Sequence, residues 1–150
     1  MYFRGMKRIF PLLTVLFLGY LGFSLAMPLF PPLFLGSEHH FLPDEMSTSM
    51  RRILLGILFA MYPTGQFIGA PLLGKCSDKY GRKPVILISL IIVIPAYLGS
   101  AFSVLYTLPF LLFLSRFLSG LLEGNIVIAQ AAIADISEDS KTKTKNFGWL

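Results

Sequence analysis

Three polar residues stand where an apolar helix should exclude them. Arg116, Glu123 and Gln130 recur every seven residues inside the apolar run 108–133, with Asn125 beside them. An ionised side chain at the centre of a bilayer costs about 2.5–3.5 kcal/mol on insertion scales. Two of them in one helix are therefore not kept facing lipid. A seven-residue repeat drifts by only about 20° per step on a straight helix, which stacks the three on one face. Arg116 and Glu123 are then roughly 10 Å apart along the axis. At that separation they can approach each other as a structural ion pair that lets the helix insert, or they can line a cavity and bracket a ligand. Intramembrane ionisable residues mark ion and substrate pathways, so Arg116, Glu123 and Gln130 are candidates for proton or substrate handling. Gly120 and Gly124 continue from Arg116 in steps of four and join that set. Gly65 and Gly69 repeat the same step in an earlier run, where plain helix packing through small residues is the simpler reading.

The elements that must carry these residues follow from composition. Of 150 residues, 55% are hydrophobic and 14% charged, against about 25% charged in a soluble domain. The mean hydropathy is +0.70. The apolar residues fall in four runs, 9–35, 53–73, 85–102 and 108–133, each long enough to cross a hydrocarbon core with some tilt. No window shows the sustained alternation of a barrel strand. The fold class expected is an all-α membrane protein of four transmembrane helices forming one partial membrane domain. Arg4, Lys7, Arg8 and Ser24-Leu25-Ala26 imitate a secretion signal, but the apolar run is too long and continues to Leu35, which predicts an uncleaved first span. Pro63, Pro71 and Pro95 interrupt the spans, as membrane bundles tolerate.

Charge sets the orientation. Arg4, Lys7 and Arg8 precede the first span, Lys75, Lys79, Arg82 and Lys83 separate the second from the third, and Lys141, Lys143 and Lys145 follow the fourth. An even number of crossings puts all three groups on one side. The opposite loop has only Arg51 and Arg52, balanced by Glu38, Asp44 and Glu45. The cation-rich side is expected to be cytoplasmic, with the N-terminus there. The net charge of +5 does not indicate nucleic acid, because the cations punctuate apolar spans instead of forming a polar face. Cys76 is the single cysteine and lies where thiols stay reduced. His39 and His40 read as a solvated pair, and no metal site is expected. The stretch Gly69 to Cys76 imitates a phosphate-binding loop but fails at Cys76, where Ser or Thr should hold magnesium. No cofactor and no enzymatic chemistry are expected.

The segment Gly74-Lys75-Cys76-Ser77-Asp78-Lys79-Tyr80-Gly81-Arg82-Lys83 reads first as a basic turn of about ten residues between two spans. It resembles the signature loop of the major facilitator superfamily, with Gly74, Asp78, Gly81, Arg82 and Lys83 on the pattern's places and Cys76 where the family usually has Leu. Arg116 and Gly120, in Arg116-Phe117-Leu118-Ser119-Gly120, resemble the fourth-helix motif of its proton-coupled members. Ala134-Asp135-Ile136-Ser137, with Phe147-Gly148, resembles the passage from helix four to helix five in tetracycline-type drug exporters. The resemblance implies two halves of about six helices, alternating access and binding near the midplane. It implies a secondary-active, proton-coupled solute or drug efflux transporter of the bacterial inner membrane. Its partners would be membrane lipid, protons and an unidentified small molecule. It implies that Asp78, Arg82 and Asp135 form a charge cluster that latches the two halves. The acidic residue of the tetracycline exporters' first helix falls on Gly19 here, which counts against tetracycline itself. With about four of the twelve helices expected from two such halves, the chain is read as an N-terminal fragment lacking a C-terminal half, with residues 134–150 a cytoplasmic loop and the start of a fifth span. The alternatives are a non-transporting four-helix remnant, a subunit that needs a partner chain, or a self-assembling module whose second copy covers Arg116 and Glu123.

Overall fold

A computed structural model describes residues 2–36 and 41–136, with side chains from residue 10 onward except at 26, 135 and 136. All regular structure among them is helical: α1 (Tyr2–Leu35), α2 (Thr48–Tyr80), α3 (Arg82–Leu105), α4 (Pro109–Leu122) and α5 (Asn125–Ile136). By length and apolarity these provide four candidate membrane spans, with α4 and α5 together making the fourth. Large apolar side chains point outward all along them, including Phe67 at 83% and Phe110 at 81% exposure. In water such surfaces would drive aggregation; in lipid they face a solvent as apolar as themselves.

Local chemistry explains the helix ends. Ser47 caps α2, its hydroxyl accepting from the Met50 amide at 3.3 Å, which satisfies one of the four free amides of a helix start. Arg51 folds back over this turn and donates to the carbonyls of Pro43 and Met46. The basic turn is shorter than the sequence suggests. α2 runs on through Lys75, Cys76, Asp78 and Lys79 to Tyr80, and Gly81 is the sole residue between it and α3. Gly81 has φ 91° and ψ 153°, a region open in practice to glycine alone, so one residue reverses the chain. Pro84 then falls in the first turn of α3, where its missing N–H costs nothing. Residues 36–47 join α1 to α2; Glu38, His39 and His40 lie outside the described residues.

The fourth span departs from the expected continuous helix. It breaks at Glu123 and Gly124. Glu123 has φ −81° and ψ 5°, and the Ile126 and Val127 amides bond back to the carbonyls of Glu123 and Gly124 through three-residue turns at 3.1 and 3.3 Å. The seven-residue stripe from Arg116 to Gln130 therefore crosses a discontinuity.

Two apolar clusters close the ends of the bundle. One gathers Phe30, Phe34, Leu55, Leu58 and Leu112 with the connecting Phe41 and Leu42. The other gathers Leu16, Val85, Ile86, Ile126, Ile128, Ala129 and Ile133. Along the fourth span, the buried Arg116 and Glu123 lie between Leu112 of the first cluster and Ile126 of the second.

Candidate functional site

Close backbone approach between α2 and α4 sets the frame. A Cβ on Gly65 would strike the Phe117 carbonyl and lie 2.8 Å from the Leu121 amide nitrogen. One on Gly69 would strike the Leu121 carbonyl. From the other side, a Cβ on Gly120 would strike the Tyr62 carbonyl, and one on Gly124 would lie 2.5 Å from the Ala70 amide nitrogen. The four glycines therefore interlock two helices at backbone contact. Gly120 and Gly124 touch α2 backbone, which gives them a packing task next to the site. The approach also lays Tyr62 directly alongside Arg116 and Glu123.

Glu123 is 4% exposed. The Tyr62 hydroxyl donates to Oε2 and the Tyr97 hydroxyl to Oε1, so each carboxyl oxygen has its own phenol, one from α2 and one from α3. An ionised carboxylate only accepts, and two donors on separate oxygens suit it. A phenol also accepts. If one carboxyl oxygen takes up a proton, the facing phenol can turn its own hydrogen aside and accept. The site can thus hold both protonation states without moving a heavy atom.

Arg116 is also 4% exposed. Its guanidinium carbon lies 5.0 Å from the centroid of the Tyr62 ring and 5.3 Å from that of Phe30. Its Nε is buried with no hydrogen-bond partner. No ion pair joins Arg116 to Glu123 among the described residues, which corrects the ion-pair reading. Tyr62 stands between them, presenting its ring face to the cation and its hydroxyl to the carboxyl. A desolvated cation–π contact contributes about 2 kcal/mol, which offsets part of the cost of burying the guanidinium. Phe23 packs on the other side of the arrangement, 5.2 Å from the Tyr62 ring centroid.

Asn125, 1% exposed, donates to the Ser89 hydroxyl at 2.7 Å, and Ser89 in turn donates to the Ile86 carbonyl at 2.8 Å. This ties the start of α5 to α3. Gln130 faces α1, with its Nε2 3.4 Å from the Tyr20 hydroxyl. It joins neither Glu123 nor Arg116. At the Gly81 end, Asp78 and Lys83 are exposed and Arg82 is half-buried. The Asp135 side chain lies outside the described residues, as do Lys141, Lys143, Lys145 and the segment 137–150. Gly74 has open space around it.

Tyr62, Tyr97 and Phe30 were not singled out by sequence. An aromatic in an apolar span ordinarily reads as packing. No periodicity within a single helix sets the depth of Tyr62 on α2 against Gly120 on α4, which only the packed structure shows.

Four candidate membrane spans thus enclose a buried carboxyl and a buried guanidinium, with the carboxyl at a break in the fourth span. The chain belongs to the Major Facilitator Superfamily, whose family model matches residues 12–150. It is 35% identical over 96% of its length to the class H tetracycline resistance protein of Pasteurella multocida. It is 38% identical over 92% of its length to the class B protein of Escherichia coli. It is 34% identical over 96% of its length to the quinolone resistance protein NorA of Staphylococcus aureus. It covers 33%, 31% and 34% of those proteins in turn, and so spans about a third of the length of these relatives. No solved structure matches it significantly.

Proposed function

We propose that the chain supplies the first four spans of a proton-driven drug efflux transporter, and that Glu123 is the group that carries the proton. The observation behind this is the carboxyl itself. It lies at a break in a membrane helix, between two apolar clusters, with a phenol on each oxygen. Discontinuous helices at the midplane are where secondary transporters place substrate and coupling-ion sites. A carboxyl that can take up and release a proton while keeping both partners supports exchange of a proton for a substrate. Arg116, one phenol ring away, keeps positive charge near the site whether or not Glu123 is ionised.

Gly19 fits the same reading. The acidic residue that the tetracycline exporters' resemblance expects on α1 is absent, yet a Cβ on Gly19 would lie 3.9 Å from Glu123 Oε2. The α4–α5 break thus brings a carboxyl oxygen within van der Waals reach of that α1 position, behind Ile126 Cδ1, which such a Cβ would meet first at 2.9 Å. We read the protein as an inner-membrane protein with its N-terminus and the Lys75–Lys83 end in the cytoplasm. Asp78, Arg82 and Asp135 then latch it to a second half, which alternating access requires. The substrates are small drugs, with tetracyclines and quinolones the first to test, since these are named in its relatives.

The test uses everted vesicles carrying the chain together with its second half, an imposed proton gradient, and a panel of tetracycline, a fluoroquinolone and ethidium. Glu123→Gln is expected to insert normally, to retain exchange of substrate down its own gradient, and to lose gradient-driven transport. Gradient-driven transport at the wild-type rate in Glu123→Gln would return Glu123 to a packing role.

A further inference from the structure

Glu123 is held by phenols from two helices, and one of them reaches it only because a third helix leaves room. Tyr97 stands on α3, and its hydroxyl passes the backbone of α1 at Gly22 to meet Glu123 Oε1. A Cβ built on Gly22 would fall on the Tyr97 hydroxyl oxygen, 3.1 Å from its Cζ and 3.6 Å from its Cε1. The three nearest atoms all belong to Tyr97. Backbone conformation gives no reason for glycine there, since Gly81 is the glycine with positive φ among the described residues. Propensity argues against it, because glycine inside a helix is about 0.8–1 kcal/mol worse than alanine. What glycine provides at this position is space, and the space is filled by one hydroxyl group.

We propose that Gly22 is a positioning residue for Glu123: it is the notch through which Tyr97 reaches the carboxyl, so the spacing of α1 against α3 at this level decides whether Glu123 is held by one phenol or by two. This rests on the reading of Glu123 as the coupling group. α1 packs on α2 and α5, whereas α3 packs chiefly on α4. The two helices therefore belong to different sides of the bundle, and the Tyr97 hydroxyl lies at their meeting point. A displacement of α1 toward Tyr97 by about the radius of a methyl group acts as an added Cβ would, because packed interiors have no slack to absorb it. α1 thereby controls the partners of a carboxyl it does not itself carry. Tyr62, on α2, keeps the other oxygen in either case. The charged and titratable groups around the carboxyl are Tyr62 from α2, Tyr97 from α3 and Arg116 from α4, and α1 adds none at Gly19 or Gly22.

The experiment is infrared difference spectroscopy on the protein reconstituted in liposomes and acidified until Glu123 is protonated, with the Glu123 band assigned by subtracting the Glu123→Gln spectrum. Loss of a hydrogen bond raises a carboxyl C=O stretching frequency. Tyr97→Phe is expected to move the band up. Gly22→Ala is expected to move it in the same direction to a similar position. The double variant Gly22→Ala/Tyr97→Phe is expected to match Tyr97→Phe alone, because phenylalanine lacks the oxygen that the new methyl would strike. If Gly22→Ala fails to fold, Tyr97→Phe is expected to restore its helix content. A Gly22→Ala band at the wild-type frequency would overturn the proposal. So would an additional shift in the double variant, or a folding defect that Tyr97→Phe does not relieve. None of these readings depends on transport, so a failed transport test of Glu123 and a failed notch are told apart.

Discussion

Tyr62→Phe removes a single oxygen atom from the middle of the bundle. The ring stays, with its packing on Phe23 and its place beneath the Arg116 guanidinium. Only the bond to Glu123 Oε2 is lost. A hydrogen bond to a charged group contributes about 1.5–3 kcal/mol in soluble proteins. Interhelical hydrogen bonds measured in membranes average about 0.6 and reach about 1.7 kcal/mol. Glu123 keeps Tyr97 as a partner, so the full penalty of an orphaned buried group does not apply. The lipid-phase range decides the magnitude, and a destabilisation of about 1–1.5 kcal/mol is expected, roughly a tenfold shift in the unfolding equilibrium. The decisive control is the same substitution in a Glu123→Leu background. There the Tyr62 hydroxyl has already lost its acceptor, so removing it should be neutral or mildly stabilising. The assay is unfolding in mixed micelles titrated with a denaturing detergent and followed by far-ultraviolet circular dichroism. Equal costs in the two backgrounds would mean that the hydroxyl does not act through Glu123, and would refute the arrangement described here.

Gly69→Ala places a methyl group on the Leu121 carbonyl and is expected to cost about 1–3 kcal/mol by overpacking, whereas Gly56→Ala in the same helix, with nothing within 4 Å, is expected to be neutral or to stabilise by up to about 1 kcal/mol; the same unfolding titration distinguishes them. Gly81→Ala forces a side chain into a φ of 91° and is expected to lower stability by about 1–3 kcal/mol without altering the Tyr62–Glu123–Tyr97 arrangement, read by the carboxyl infrared band. Arg116→Lys keeps the charge but loses the planar group that lies over two ring faces, and is expected to insert correctly yet unfold at lower detergent concentration than the wild type.

The membrane character, the helical class and the family were legible because each rests on a pattern repeated along the chain: apolar runs of spanning length, and fixed residues at fixed spacing around Gly74–Lys83. Arg116 and Glu123 were legible because charge in an apolar run is costly wherever it faces. Their partners were not. Periodicity within one helix assigns a face, and it put Arg116 and Glu123 together, but it carries no information on which neighbour fills the gap. Tyr62 and Tyr97 come from other helices, and their place depends on the depth at which α2 and α3 cross α4. The break at Glu123 was hidden for a related reason. Glu123-Gly124-Asn125 is a short polar triplet with no proline to announce a break, and the only local feature that marks it is Gly124, at which a Cβ would lie 2.5 Å from the Ala70 amide nitrogen. The basic turn is shorter than its polar residues suggest, because polarity alone does not end a helix. Lys75 and Lys79 are good helix formers that carry the helix past Asp78 beyond its apolar part, and Gly81 has the conformation that ends it.

The central claim is that a proton and a drug exchange at Glu123. The most direct measurement is proton release from the purified transporter, chain and second half together, in weakly buffered detergent on addition of a drug that binds it, followed with a pH-indicating dye. The wild type is expected to release protons on binding, in an amount that saturates with the drug. Glu123→Gln is expected to bind the drug and release none. Drug binding by Glu123→Gln with wild-type proton release would contradict the account, because the exchanging proton would then reside on some other group.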